Sequence, residues 1–266
     1  EAIEDGIYES DEEVEVSISQ VSGGAASIGT PAAVTITITD DQAPPAVTLG
    51  ASPLSIAEGD ASTVTATLSN ATFEDVVVTL DTINISTSSD DYSLSSNTIT
   101  ISAGQTSGTA TLAATEDVTY EESENVEISI SGVSGGSSSI GTPETVTITI
   151  NESLSQPAVT LGASPTSFAE NDSSIITASL DKPTYETVTV TLQATDSTTL
   201  AGDYVLESTA ITIPAGELTG TTTLKGVEDA IYEGDELVSV AITSVSGGEA
   251  TPDGEQEITF TITDNQ

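Results

Sequence analysis

Three copies of one eight-residue pattern carry whatever chemistry this chain can do. They read DGIYESDE from Asp5, DVTYEESE from Asp117 and DAIYEGDE from Asp229, always 112 residues apart. Each has the form Asp-x-x-Tyr-Glu-x-x-Glu, which brings three carboxylates and one aromatic ring into a short stretch. Crowded carboxylates repel one another and raise each other's pKa unless a cation joins them. The chain of 266 residues offers only two basic side chains for that purpose, Lys182 and Lys225. An oxygen-only donor set suits a hard metal cation, Ca²⁺ above all.

The overall charge narrows the function classes. With 43 acidic residues against 2 basic ones, the formal charge is −41. Phosphate binding needs Lys and Arg, so nucleic acid is excluded as a natural partner. Docking on an anionic membrane surface is disfavoured for the same reason. No apolar stretch approaches the ~20 residues of a membrane-spanning helix, so no membrane insertion is expected. Such a charge invites disorder, but 36% of residues are hydrophobic, and they fall in Val-, Ile- and Thr-rich runs that suit strands.

The chain lacks Cys, Met, Trp and His. Nucleophilic catalysis wants a Ser or Cys beside a base. A carboxylate pair could act as in a glycosidase, yet each acidic cluster recurs once per repeat, which favours a structural motif. No enzymatic activity is expected. Abundant Thr, Ser, Gly and Asp with almost no Lys or Arg matches secreted, calcium-bathed bacterial surface proteins. An extracellular or cell-surface location is therefore expected, and the chain, opening in mid-pattern, reads as a segment of a longer protein.

The elements that must position the carboxylates repeat with the same period. PAVTLGASP occurs at Pro45–Pro53 and Pro157–Pro165, and VSGG at Val21, Val133 and Val245. A period of this length is a whole domain rather than a solenoid coil. Residues 1–43 match only the C-terminal part of a repeat, and 44–155 and 156–266 are complete repeats. Short joins containing Pro44, Pro45 and Pro157 limit how freely neighbouring domains swing. Residues 44–155 hold seven strand-like runs, at 46, 62, 75, 97, 107, 125 and 144, separated by Gly, Ser, Asn and Asp clusters. Seven strands in a domain of this size predict an antiparallel β-sandwich. With 3% aromatics, its core must be Val, Ile, Leu and Thr methyls. The Gly-Gly pairs after Val-Ser read as turns that need positive φ. Each motif tyrosine is expected to pack under its own loop with its hydroxyl bonded, and Glu122 and Asp235 are expected to be spectators.

The order of motifs resembles the Calx-β domain family. SIAEGD (Ser55–Asp60) or SFAEND (Ser167–Asp172) comes first, then Asp91-Tyr92 or Asp203-Tyr204. ISAG or ITIPAG follows, then the acidic motif, then a closing ITITDDQ or TITDNQ. The resemblance implies tandem seven-stranded antiparallel immunoglobulin-like β-sandwiches with Ca²⁺ at one end. Carried over, the ligands are Glu58, Asp91, Asp117, Glu121, Glu124, Asn151 and Glu152 in the second repeat. In the third they are Glu170, Asp203, Asp229, Glu233, Glu236 and Asp264, and in the partial one Asp5, Glu9, Glu12, Asp40 and Asp41. Closing on INES rather than ITDD, the second repeat should bind more weakly or hold fewer ions.

Two functions fit. In the first, the repeats form part of an extracellular adhesin, surface filament or matrix fibre, with Ca²⁺ rigidifying domains and junctions. The partners are then calcium ions and neighbouring repeats, with self-assembly into a filament open. The partial repeat would be completed by continuation of the array or by strand addition from another molecule. In the second, the chain is a calcium sensor or a module whose loops grip a protein or glycan. Near-identical repeats favour the spacer.

Overall fold

The computed structural model describes residues 2–199, 202–228 and 231–264. They fall into two compact units. Glu1–Glu116 with Glu124–Asn151 forms the first, and Asp117–Ser123 with Glu152–Gln266 the second. The acidic segment Asp117–Ser123 belongs by its sequence to the second repeat, yet it packs as part of the second unit.

The first unit opens with an antiparallel ladder of β1 (Glu12–Ser17) and β2 (Ala33–Ile38). Its sandwich comprises β3 (Ala46–Ser52), β4 (Ser55–Ala57), β5 (Ala61–Leu68), β6 (Val76–Asn84), β7 (Tyr92–Leu94), β8 (Thr98–Ile101), β9 (Ser107–Ala114), β10 (Glu124–Ser134), β11 (Ser139–Ile140) and β12 (Thr145–Asn151). The second unit repeats the series. Its strands are β13 (Ala158–Ser164), β14 (Ser167–Ala169), β15 (Ser173–Leu180), β16 (Val188–Asp196), β17 (Tyr204–Leu206), β18 (Ala210–Ile213), β19 (Thr219–Gly226), β20 (Glu236–Ser246), β21 (Thr251–Pro252) and β22 (Glu257–Thr263).

The first sandwich stacks sheet β4-β12-β10-β6-β8 on sheet β11-β3-β5-β9-β7, and the second stacks β14-β22-β20-β16-β18 on β17-β19-β15-β13-β21. All seven expected runs of the second repeat are strands. Three short strands, β4, β7 and β11, were not expected, because two or three residues are too few to show a period. Two of them make parallel pairs in an otherwise antiparallel sandwich, β4 with β12 and β11 with β3. Pro53 explains β4. It has no N–H to continue the β3 ladder, and the Leu54 carbonyl beside it already accepts Thr149 N–H of the other sheet at 2.9 Å. The chain changes sheets there, and Pro165 repeats the device between β13 and β14.

Alternation fills the cores. Along β5, Ser62, Val64, Ala66 and Leu68 point inward and the residues between them do not. Fully burying each Val, Ile or Leu contributes about 1.5–3 kcal/mol. The second core adds a pair that residue counts concealed: Phe168 and Phe260 meet edge-on with centroids 6.3 Å apart. The β1–β2 ladder covers no such core, and Val14, Val16, Val34 and Ile36 on it are exposed.

Candidate metal centre

At one end of the second sandwich three elements converge. Asp203 immediately precedes β17, Glu236 begins β20, and Glu233 lies on the turn before it. Their carboxylate oxygens all lie within 4.8 Å of one another. Glu236 and nearby Glu170, which follows β14, are buried. Burial pushes the Glu236 carboxyl up to about 7, helped by the charges of Asp203 and Glu233, a hydrogen bond with Asp203, and the charge of Glu170. The turn is held open by Asp264, whose Oδ2 accepts the N–H groups of Glu233 at 2.6 Å and Gly234 at 3.3 Å. Gly234 sits at φ 80° to make that turn. Asp229 lies outside the described residues.

In the first unit, Asp91 and Glu124 occupy the corresponding positions, again within 4.8 Å. Ser88 shapes the approach, donating both its N–H and its hydroxyl to Asp91. The Glu58 N–H donates to the Asn151 carbonyl at 3.1 Å. The Asn151 amide group donates to Ser55 Oγ at 2.7 Å and to the Ile56 carbonyl at 2.9 Å, tying β12 to β4. The partial repeat gathers Asp5, Glu9, Glu12, Asp40 and Asp41 around one open cleft. The Glu9 carboxyl is raised there by burial and by the charges of Glu12, Asp5 and Asp40.

Several expected ligands turn out to shape the backbone as well. Asp5 accepts the Ile7 N–H at 3.0 Å and Asp117 the Thr119 N–H at 2.7 Å, the short turns to which Asp is suited. Glu152 accepts Glu121 N–H and Leu154 N–H, each at 2.6 Å, one on each oxygen. Asp40 does the same for Glu9 and Gln42. Asp40, Glu152 and Asp264 are thus clips at equivalent positions, each accepting the N–H of the glutamate that follows the motif tyrosine, Glu9, Glu121 and Glu233.

The motif tyrosines depart from the expectation that each packs under its own loop. Tyr120 is 6% exposed and Tyr232 is 75% exposed. The Tyr120 hydroxyl donates to Glu249 Oε2 at 2.5 Å. That hydrogen bond, then burial, pushes the hydroxyl up to about 12. Glu122 faces the Tyr185 hydroxyl, which burial and the charges of Glu122 and Glu186 also push up to about 12. Sequence reasoning missed Glu249, because the residue after each Gly-Gly pair varies: Ala25, Ser137, Glu249. Tyr92 and Tyr204, outside the acidic motif, donate their hydroxyls to Asn84 at 2.5 Å and Asp196 at 2.6 Å.

The donor set is all oxygen and comes from separate elements of a rigid sandwich end. Two oxygens on opposite sides of one Ca²⁺ sit roughly 5 Å apart, given Ca–O distances of about 2.3–2.6 Å. The separations among Asp203, Glu233 and Glu236 fit such an ion.

Comparison with known proteins follows the same lines. Residues 44–153 and 156–265 match the LapA domain family. Residues 1–42 match the Calx-beta domain family, so the Calx-β resemblance holds. Among solved structures, CBD12 from CALX1.2 aligns at 13% identity and TM-score 0.36, covering 82% of this chain and 100% of that one. The apo-form Calx CBD1 domain aligns at 17% identity and TM-score 0.35, over 41% of this chain and 99% of that one. The adhesin InvE of Yersinia pseudotuberculosis aligns at 16% identity and TM-score 0.36, over 83% of this chain and 59% of that one. No curated protein matches.

Proposed function

This chain belongs to the LapA domain family, and on that premise we propose that it is a calcium-binding, non-catalytic structural segment of an extracellular adhesin, surface filament or matrix fibre. The observation that carries the reading is the meeting of Asp203, Glu233 and Glu236 within 4.8 Å. Ca²⁺ there would be held by these carboxylates, with Glu170 beside them, and Asp91 with Glu124 would be the counterpart in the second repeat. Asp5, Glu9 and Glu12 would serve the partial repeat.

The role of the ion is mechanical. It neutralises carboxylates that otherwise repel, and it fixes the acidic loop against the strands that carry Asp203 and Glu170. The clips at Asp40, Glu152 and Asp264 pass that order on to the segment after the closing strand. Extracellular sites bind in the range of about 10⁻⁴–10⁻³ M, so millimolar calcium outside the cell suffices. Binding to the folded state alone stabilises by RT ln(1 + [L]/Kd).

The test is calorimetric Ca²⁺ titration of the whole chain, paired with thermal melts in calcium and in EDTA. Fewer ions bound in Asp203→Asn and Glu236→Gln than in the parent, with a smaller calcium-induced rise in melting point, is the expected result. No heat of binding and superimposable melts would leave the acidic loops as solvated surface.

A further inference from the structure

Two of the motif tyrosines are seated in a slot that each full sandwich builds in the same way. In the second unit the slot is the loop of Pro183, Thr184 and Tyr185 closed by the turn Gly247-Gly248-Glu249. Tyr120 enters it as a one-rung parallel bridge with Thr184. Its N–H donates to the Pro183 carbonyl at 2.9 Å, and its carbonyl accepts Tyr185 N–H at 3.1 Å. In the first unit Tyr8 bridges Thr72. Its N–H donates to Ala71 at 2.8 Å and its carbonyl accepts Phe73 N–H at 3.2 Å.

The walls are equivalent too. Thr72 and Thr184 are buried. A Cβ on Gly136 would come within 2.7 Å of Thr72, and one on Gly248 within 2.8 Å of Thr184. Glu74 accepts Gly136 N–H at 3.1 Å and Glu186 accepts Gly248 N–H at 3.3 Å. One wall residue differs. Glu249 stands where the earlier slot has Ser137, and both have positive φ, 49° and 51°. The shape of the turn therefore does not select the glutamate. Its carboxylate receives the Tyr120 hydroxyl at 2.5 Å and the Gln156 amide at 3.4 Å.

We propose that this tyrosine-and-slot contact is the joint between consecutive repeats, and that the residue after the Gly-Gly pair sets its grip. Glu249 locks Tyr120 through its hydroxyl, whereas the slot with Ser137 holds Tyr8 by its backbone rung. The partner recognised is the acidic loop of the preceding repeat, and the selectivity resides in the side chain at position 137 or 249. The hydrogen bonds of the joint run through the Tyr120 backbone and hydroxyl and the Glu249 carboxylate, so it can be tested in EDTA apart from any cation.

Amide hydrogen exchange of the whole chain in EDTA tests this, with Glu249→Ser and Ser137→Glu compared against the parent. A lost hydrogen bond to a charged acceptor predicts roughly tenfold faster exchange at Tyr120 and Tyr185 in Glu249→Ser, with Val190 in the core unchanged. Ser137→Glu should slow exchange at Tyr8 and Phe73 by a similar factor. If neither pair of amides moves, or if Glu249→Ser accelerates Val190 equally and Ser137→Glu changes nothing, the grip does not lie in this residue. Calcium titration of the same variants should match the parent, so the joint and the metal reading stand or fall separately.

Discussion

The hydroxyl of Tyr120 meets Oε2 of Glu249 at 2.5 Å across 129 residues of chain. That bond, followed by the one from Gln156, holds the Glu249 carboxyl below its ordinary value of 4.5. A carboxyl whose folded pKa is depressed contributes stability above its unfolded pKa and loses it as pH falls through the folded one. The joint should therefore loosen in acid, below about pH 4.5. In Tyr120→Phe the Glu249 titration should move back up towards 4.5, as followed by carboxyl ¹³C shifts. A Glu249 curve identical in parent and variant would show that the hydroxyl does not set it.

Glu236 predicts the opposite slope at the metal centre. Its folded value is raised to about 7 from 4.5. A carboxyl raised in the folded state contributes stability that is full below the unfolded value and is lost as pH rises through the folded one. In EDTA the melting temperature should fall between about pH 4.5 and 7, and Glu236→Gln should flatten that fall. Calcium competes with the proton, so in saturating calcium the fall should vanish or reverse. Melts at half-unit pH steps, with and without calcium, check all three.

The turn glycines separate clash from backbone preference. A Cβ on Gly247, at φ 90°, would lie 2.1 Å from the Thr187 carbonyl oxygen. Gly254, at φ 71°, has nothing within 4 Å. Gly254→Ala should cost about 1 kcal/mol, the left-handed penalty alone. Gly247→Ala should cost about 3 kcal/mol or more, since the carbonyl must move out of a packed turn. Urea unfolding of the two variants measures the difference directly.

Much of this was legible because the repeat prints each element twice. The seven main strands follow from alternation, and the turn role of Gly247-Gly248 from composition. The clustering of Asp203 with Glu233 and Glu236 was foreshadowed by the family resemblance, since no spacing rule joins a residue before β17 to two on another loop. What stayed hidden was long-range. Asp264 and Glu152 each bind N–H groups 31 residues upstream, and no local pattern distinguishes such an acceptor from a metal ligand. Glu249 broke the repeat instead of following it, so a reading built on recurrence passed over it. The same holds for Phe168 and Phe260, where the preceding repeat has Ile56 and Ile148.

Those two phenylalanines yield a test of how the third repeat offsets its small aromatic complement. Phe260 is fully buried and Phe168 nearly so, with ring planes at 69°. Edge-to-face pairs contribute about 0.5–1.5 kcal/mol beyond the area they bury. Phe260→Ala should cost about 3–5 kcal/mol, because it leaves a cavity that the sandwich cannot close. Phe168→Ile with Phe260→Ile restores the pairing used by Ile56 and Ile148 in the second repeat. Once one ring is gone, losing the other forfeits no ring–ring contact, so the double variant should cost less than the sum of its parts by about that pair term. Additive losses in denaturant unfolding would mean that the rings act as separate core residues.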